Sequence, residues 1–196
     1  MKQSARVVDQ AAAQPEATPR QASLSQSLEY RDKWESRGSI RTRPRKSIDF
    51  SREGYFFPQE KQPLLLNEAA SNLGQDSKTT LLLHSFFKYL NDIITLEIKL
   101  IVSACEKLIY GKLPLSYPDT LKLNAYTVII DEYYHVYIAK DMSLQLKQQF
   151  PELRELDYPL SDSYKSIIET KALLDEKYHD VFEILAVCIF ETTLVR

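Results

Sequence analysis

The chain has 196 residues, a formal net charge of −2 and a hydrophobic fraction of 44%. This length is enough for one domain with a hydrophobic core. The near-neutral charge excludes a general electrostatic affinity for nucleic acids or anionic membranes, and no apolar run approaches the roughly 20 residues that span a bilayer.

The glycine and cysteine content indicates the fold class and the redox state of the protein. The sequence has only four glycines and many Leu, Ile, Lys and Glu residues, which favours an all-α fold with few tight turns. Its two cysteines, Cys105 and Cys188, form no CxxC motif, so we expect both to be reduced residues of a helical core. Since the N-terminus lacks the apolar core of a signal peptide, the sequence predicts a cytoplasmic protein.

The first segment, residues 1–27, is rich in Gln, Ala, Ser, Pro and Thr. Such a composition buries too little apolar surface to offset chain entropy, so we predict a disordered N-terminal tail. Residues 30–62 mix basic and aromatic side chains, and we predict an extended arm whose aromatic residues dock on a helical body while its arginines meet acidic groups. An RNA-binding module is the alternative for this segment, although the rest of the chain is slightly acidic.

A first long helix is predicted from about Lys78 to Tyr110, with Ser77 as its N-cap and Gly111 after its last turn. Its apolar seam contains one carboxylate, Glu97, where the spacing requires an apolar residue. Burying an ionised carboxylate without a partner costs several kcal/mol, so Glu97 should have a cationic partner.

A second long helix is predicted after Pro118, and it should end before Pro151. Its apolar seam consists of Leu121, Ala125, Val128, Glu132, His135, Ala139, Met142 and Leu146. The steps of this seam alternate between four and three residues, the spacing of a helix face that packs on a partner helix. Because Glu132 and His135 are three residues apart, they lie on one helical face and are predicted to hold a cation between them.

Two shorter helices are predicted towards the end of the sequence. Ser161 should cap the first, which is expected to continue to about Glu176, and the second should begin near His179 and carry Glu191 on its apolar side. We interpret His84 and His179 as ordinary surface or core histidines, because each lies about 20 Å along its own helix from the nearest seam glutamate.

Several other polar residues of the second long helix are not assigned to the cation. Tyr126, Tyr133, Tyr134 and Tyr137 are interpreted as packing residues rather than redox groups. Asp131 is expected to point away from the cation, either orienting an imidazole or pairing with a lysine.

Three predicted helices therefore each place a glutamate on an apolar face. One such residue alone usually marks a buried ion pair, but three of them, one with a histidine partner, favour a shared metal site. Single glutamates combined with Glu-x-x-His pairs are typical of helical bundles that hold two iron ions. Carboxylates bridge hard cations, and neutral imidazole binds iron without adding charge.

The spacing of these residues and the N-terminal arm together resemble one family. Thirty-five residues separate Glu97 from Glu132, and 59 separate Glu132 from Glu191. Further similar motifs are residues 37–45 (RGSIRTRPR), 48–51 (IDFS), 55–58 (YFFP) and 124–126 (NAY). From Tyr30 to its end, the sequence resembles the p-aminobenzoate N-oxygenase family of non-haem diiron oxygenases, the AurF-like arylamine oxygenases.

The resemblance implies a ferritin-like helical bundle, here residues 28–196, that holds two iron ions and often forms a homodimer. It implies an enzyme that uses dioxygen to oxidise an aromatic amine, through a hydroxylamine, towards a nitro group. By the same resemblance Glu97, Glu132, His135 and Glu191 occupy metal-ligand positions, with Glu132 as a bridging carboxylate. Electrons would come from an external reductase or reduced carrier, because the sequence has no Gly-rich loop for a nicotinamide or flavin cofactor.

The family pattern continues beyond the third glutamate with a helix pair that supplies His-x-x-x-Glu-x-x-His. The sequence ends at Arg196, ahead of that pair. We therefore expect the C-terminal helices of the bundle to be missing and oxygenase activity to require ligands that these residues do not provide. The alternative is a non-catalytic relic or partner subunit that keeps the bundle without a complete metal site. A ferritin-like iron-storage protein fits the arm and the ligand spacings less well.

Overall fold

The computed structural model describes residues 19–38, 40, 44–70, 72–155 and 157–194. Its helices are α1 (Pro19–Arg37), α2 (Gln75–Leu96), α3 (Ser103–Ile109), α4 (Asp119–Gln149), α5 (Asp162–Ala172) and α6 (His179–Leu194). A π-helical segment, Glu97–Val102, joins α2 to α3. These ranges contain no strand, so the predicted all-α class is confirmed. None of the described helices combines the length and the apolar character needed to cross a bilayer.

The rod formed by α2, the π-helical segment and α3 corresponds to the first predicted long helix. It starts at Gln75, with Gly74 in the N-cap position, and thus slightly earlier than the predicted start after Ser77. Its end is as predicted. Gly111 follows the last turn with a φ of 66°, a left-handed conformation that glycine adopts without a Cβ clash.

The later helices largely follow the prediction. α4 ends before Pro151, as expected. Ser161 caps α5, its Oγ accepting a hydrogen bond from the Tyr164 N–H at 3.2 Å. α5 ends at Ala172 rather than near Glu176, because the chain there tightens into i→i+3 hydrogen bonds.

The core lies between α2 and α4. Phe87 on α2 and Leu146 on α4 are fully buried, and Leu153, in the turn after α4, is buried against them. Leu83 and Leu90 of α2 and Ala139 of α4 complete this cluster. The predicted seam of α4 therefore does face a partner helix, and the α2–α4 pair fixes the residues that lie between the two helices.

α1 packs along α4, which corrects the predicted boundary of the disordered tail. Asn124, buried on α4, donates its side-chain amide to the carbonyl oxygen of Ser27 at 3.0 Å and to the Ser27 hydroxyl at 2.7 Å. The indole N–H of Trp34 donates to Asp131 at 2.6 Å. Because α1 supplies partners for polar groups of α4, residues 19–27 belong to the helical domain. The rest of the predicted tail, residues 1–18, lies outside the described part of the chain.

The arm is extended only after α1, because residues 30–37 are helical. The guanidinium of Arg45 binds Asp141 on α4, with N–O distances of 2.8 and 2.6 Å. This contact confirms the prediction that an arginine of the arm meets the acidic surface of the body. Residues 41–43, which include two further arginines of the predicted arm, lie outside the described ranges.

The aromatic part of the arm also docks on the body as predicted. Phe56 packs edge-on against Phe150, with ring centroids 5.6 Å apart, and stacks on Phe86 at 6.3 Å. The backbone N–H of Ile48 donates to the side-chain oxygen of Gln145 at 2.8 Å. These contacts join the arm to the middle of α2 and to the C-terminal end of α4.

Several side chains are more exposed than predicted. Cys188 is exposed on α6 rather than buried in a core. Tyr126, Tyr133 and Tyr137 are also exposed, although the ring of Tyr137 stacks on that of Tyr134. These three tyrosines therefore lie on an exposed face of α4 rather than in the core.

Candidate metal centre

Glu97 begins the π-helical segment between α2 and α3. A π-helical turn contains one more residue than an α-helical turn, so it rotates the side chains after it relative to those before it, and such turns are frequent at functional sites. Leu100, Ile101 and Val102 of the same segment are buried. The segment thus holds a carboxylate next to a surface that is otherwise apolar.

Three ligand-capable side chains meet where this segment contacts α4. The Nδ1 atom of His135 lies 2.8 Å from Oε2 of Glu132 and 3.7 Å from Oε1 of Glu97. One donor atom from each residue lies within 4.8 Å of the other two. The structure therefore brings together three of the four residues that the sequence placed at one site.

The two carboxylates of this group are mostly withdrawn from water. The side chains of Glu132 and Glu97 are 12% and 17% exposed, whereas that of His135 is 51% exposed. Carboxylates this close repel each other, and each has lost much of its hydration, so positive charge nearby is required. In the metal-free protein the imidazolium of His135 supplies one such charge.

The pKa values of Glu97, Glu132 and His135 reflect their burial and the proximity of their charges. Burial, with repulsion from Glu132, raises the pKa of Glu97 from 4.5 to about 7. Burial also opposes ionisation of Glu132, but its hydrogen bonds with His135 and Glu97 outweigh burial and hold its pKa below the ordinary value. Hydrogen bonds to both carboxylates raise the pKa of His135 to about 10. At neutral pH Glu132 is therefore ionised, whereas Glu97 is ionised only in part.

One oxygen of Glu97 independently indicates a ligand. Its Oε2 atom is buried and has no hydrogen-bond partner within the described structure. A buried acceptor without a donor costs about 1–3 kcal/mol, and a bound cation would satisfy it. Oxygen and imidazole donors together suit first-row metals such as iron, manganese and zinc. The residues present therefore fit a transition-metal ion.

Glu191, the third predicted glutamate, lies on the rim of the site rather than within the group of three. A cavity of about 660 Å³ is lined by Glu97, Glu132, His135 and Glu191. Glu191 is exposed, and its carboxylate is not among the donor atoms that lie within 4.8 Å of one another. Burial and the charge of Glu132 nevertheless raise the pKa of Glu191. The Glu191 carboxylate therefore interacts electrostatically with Glu132.

A second cavity, of about 410 Å³, reaches His135 from the side of α1. It is lined by Trp34, Arg37, Asp131, Tyr134 and His135, among others. Asp131 does point away from the group of three, as predicted, but it accepts a hydrogen bond from Trp34 rather than binding an imidazole or a lysine. Sequence reasoning missed this contact because 97 residues separate its partners and no local spacing pattern marks it.

The remaining histidines and one cysteine complete the surroundings. The ring of His84 packs edge-on near Tyr158, and Nε2 of His179 bonds to the carbonyl oxygen of Leu174 at 3.0 Å. Neither belongs to the group of three, as expected. Burial and the charge of Glu132 raise the pKa of the Cys105 thiol to about 11, so this thiol stays protonated beside the site.

Comparison of the chain with protein-family models, with curated proteins and with solved structures finds no match in any of the three. The family resemblance therefore depends on the residues and spacings themselves.

Proposed function

We propose that the chain forms a ferritin-like diiron oxygenase domain that uses dioxygen to oxidise an aromatic amine. The observation that carries this proposal is the meeting of Glu97, Glu132 and His135, whose donor atoms lie within 4.8 Å of one another. The spacing of these residues along the sequence, which resembles that of the arylamine oxygenases, supplies the choice of iron and of substrate class.

In this proposal Glu97, Glu132 and His135 hold the metal, and Glu191, which lines the same cavity, acts as a further ligand. Bound iron would supply the electrons that activate dioxygen, and an external reductase or reduced carrier would replace them. Glu132 is ionised and mostly buried, so it is suited to bridge two cations. Glu97 offers an oxygen without a hydrogen bond. Metal binding must displace the protons held by His135 and Glu97.

The cavity beside these ligands has room for a small aromatic substrate. Its volume of about 660 Å³ lies within the range of about 300–1,000 Å³ that is usual for small-molecule sites. Ile93, Leu96, Ile101 and Phe190 contribute apolar lining. An aromatic ring would pack on these side chains while its amine is directed towards the carboxylates.

The second candidate is a non-catalytic relic or partner subunit that keeps the bundle and an incomplete metal site. One observation favours it: the group of three contains a single imidazole, His135, whereas bundles of this type supply a Glu-x-x-His pair from each of two helices. Such a chain would bind at most one metal ion and would consume no dioxygen.

Anaerobic titration with Fe(II), followed by metal analysis and an oxygen-electrode assay with an arylamine and a chemical reductant, separates the two candidates. The oxygenase should bind about two irons per chain, and oxygen uptake would favour it. The second candidate should bind one iron or fewer and take up no oxygen. Glu132→Ala should abolish iron binding. Glu106→Ala, which changes an exposed glutamate of α3, should leave it intact. Failure of the unaltered chain to bind iron would contradict the oxygenase.

A further inference from the structure

A groove of about 460 Å³, called here the α5–α6 groove, is lined entirely by residues of these two helices. On α6 its lining includes Leu185, Ala186, Ile189 and Phe190, which share one helical face because they recur at spacings of three and four residues. Ile167 contributes an apolar side chain from α5. Among the described residues, no ionisable side chain lines the groove, so its ligand must be predominantly apolar.

Hydroxyl groups supply the polar part of the α5–α6 groove. They belong to Ser163, Ser166 and Thr170 on α5 and to Thr193 on α6. The Thr193 hydroxyl already donates to the carbonyl oxygen of Ile189 at 2.6 Å. Small-molecule sites of about 300–1,000 Å³ commonly combine an apolar lining with a small number of such polar groups. The size and lining of the groove therefore suit a small apolar molecule with few hydrogen-bonding atoms.

The α5–α6 groove adjoins the cavity of about 660 Å³ that contains the metal-ligand residues, called here the metal cavity. Phe190 of α6 and Ser163 of α5 line both spaces, so the boundary between the spaces lies at these two side chains. The next residue, Glu191, lines the metal cavity but not the groove, as do Glu97 and Glu132. A molecule that crosses the boundary would therefore have a polar end on one side and an apolar end on the other.

We propose that the α5–α6 groove binds the apolar end of an elongated aromatic amine, and that Phe190 and Ser163 determine how long a molecule the site accepts. The amine would lie in the metal cavity and donate a hydrogen bond to a carboxylate there, and this part of the inference rests on the proposed function. The apolar end would be an alkyl chain or a second ring. A helix, about 10 Å in diameter, could cover the groove but could not enter the metal cavity past these two side chains.

Equilibrium binding of alkylanilines to the full chain, free of metal and with a chelator present, tests this inference without turnover. The probes are aniline, para-butylaniline and para-hexylaniline, which are uncharged at neutral pH. Burial of a methylene group contributes about 0.8 kcal/mol, so the Kd should fall about fourfold for each added methylene until the groove is filled. A Kd that does not depend on chain length would overturn the proposal.

Variants of the groove and of its boundary locate the alkyl chain. Ile189 lines the groove but not the metal cavity and is 63% exposed, so Ile189→Glu should leave the fold intact. It should raise the Kd of para-hexylaniline at least about tenfold, because the alkyl chain would bury a carboxylate, and leave that of aniline unchanged. Cys188→Glu, at the neighbouring exposed position outside the groove, is the matched control. Phe190→Trp and Ser163→Leu, which narrow the boundary from opposite helices, should weaken para-hexylaniline more than aniline.

The outcomes separate this inference from the proposed function and from a covering helix. Equal affinities of Ile189→Glu and Cys188→Glu for para-hexylaniline would overturn the inference. Altered sedimentation of Ile189→Glu with unaltered affinity would also overturn it, because a protein segment would then cover the groove. Chain-length-dependent binding by a chain that does not bind iron would support the groove and contradict the oxygenase. Iron binding without any dependence on chain length would contradict this inference alone.

Discussion

The position of Glu97 favours cation binding but makes its ionised carboxylate unfavourable when no cation is bound. Its carboxylate is well placed for a cation, because it lies beside Glu132 and His135 and has one oxygen without a hydrogen bond. The same burial makes its negative charge unfavourable when no cation is present. A residue with this conflict is expected to reduce stability in order to serve a function.

Glu97→Gln should therefore stabilise the metal-free protein above neutral pH while weakening metal binding. The pKa of Glu97 rises from 4.5 to about 7 on folding, so the folded state binds the proton more tightly and stability falls as pH rises between these values. The loss is on the order of 3 kcal/mol when complete. Because glutamine does not ionise, the advantage of the variant should be small at pH 5 and full at pH 8.

Urea unfolding of both proteins at the two pH values, with a chelator present, measures this difference. A wild-type protein that is as stable as the variant at pH 8 would show that Glu97 is not destabilised by its surroundings. Calorimetry with Mn(II) on the same samples should show weaker binding by the variant.

The sequence predicted the Glu132–His135 pair because both residues interrupt a regular seam at i, i+3 spacing, and the structure places them 2.8 Å apart. It also placed Glu97 on an apolar face. It gave no sign of the π-helical segment that begins there, because an extra residue in a turn depends on packing and leaves the 3–4 spacing of the helix readable. Glu191 was harder to place, since its carboxylate sits on a cavity rim rather than in a packed seam.

At the scale of the elements, α1 is attached to α4 by a small number of polar contacts. The buried amide of Asn124 donates to Ser27, and the indole of Trp34 donates to Asp131. Trp34 is the single tryptophan of the sequence, so its fluorescence reports directly on the docking of α1.

Asn124→Ala should loosen α1 without unfolding the α2–α4 core. The change leaves the Ser27 hydroxyl and carbonyl without their partner in a buried site, which costs about 1–3 kcal/mol. We expect a red shift of Trp34 emission, stronger quenching by acrylamide, and little change in helical circular dichroism. Gln148→Ala, an exposed position of the same helix, is the control. Unchanged Trp34 emission in Asn124→Ala would contradict the proposed attachment.

One carboxylate of α6 bonds to lysines of two other helices. Glu183 accepts hydrogen bonds from Lys107 on α3 and Lys171 on α5, and its side chain is 13% exposed. Burial opposes its ionisation, but the two lysines outweigh burial and lower the pKa of Glu183. Because α6 carries Glu191, which lines the candidate site, this contact also helps to position that glutamate.

Glu183→Gln should destabilise the protein at neutral pH and lose this effect in acid. A carboxyl whose pKa falls on folding contributes stability that is present above its ordinary value of 4.5 and disappears as pH drops through the lower folded value. We expect a loss of about 1–3 kcal/mol at pH 7, measured by thermal unfolding, and a smaller difference at pH 3. Glu169→Gln, an exposed residue of α5, should change neither. A loss that is the same at pH 3 and pH 7 would contradict the ionic origin of the contact.

At the scale of the whole molecule, periodicity and breakers were enough to predict an all-α chain and most limits of its helices. These patterns did not predict contacts between residues that are distant from each other along the sequence. The segment before Tyr30 has a composition typical of disorder, yet residues 19–27 lie in α1, where Ser27 accepts hydrogen bonds from the distant Asn124 on α4. The packing partners of the α4 tyrosines could not be predicted either, since the spacing along a helix shows which face is apolar without showing what covers it.

The measurement that tests the central assignment most directly is X-ray diffraction at the iron absorption edge, from crystals grown anaerobically with Fe(II). Anomalous difference density is expected within bonding distance of Glu97, Glu132 and His135. An ordered group of three with no such density in iron-loaded crystals, or density confined to carboxylates elsewhere on the surface, would contradict it.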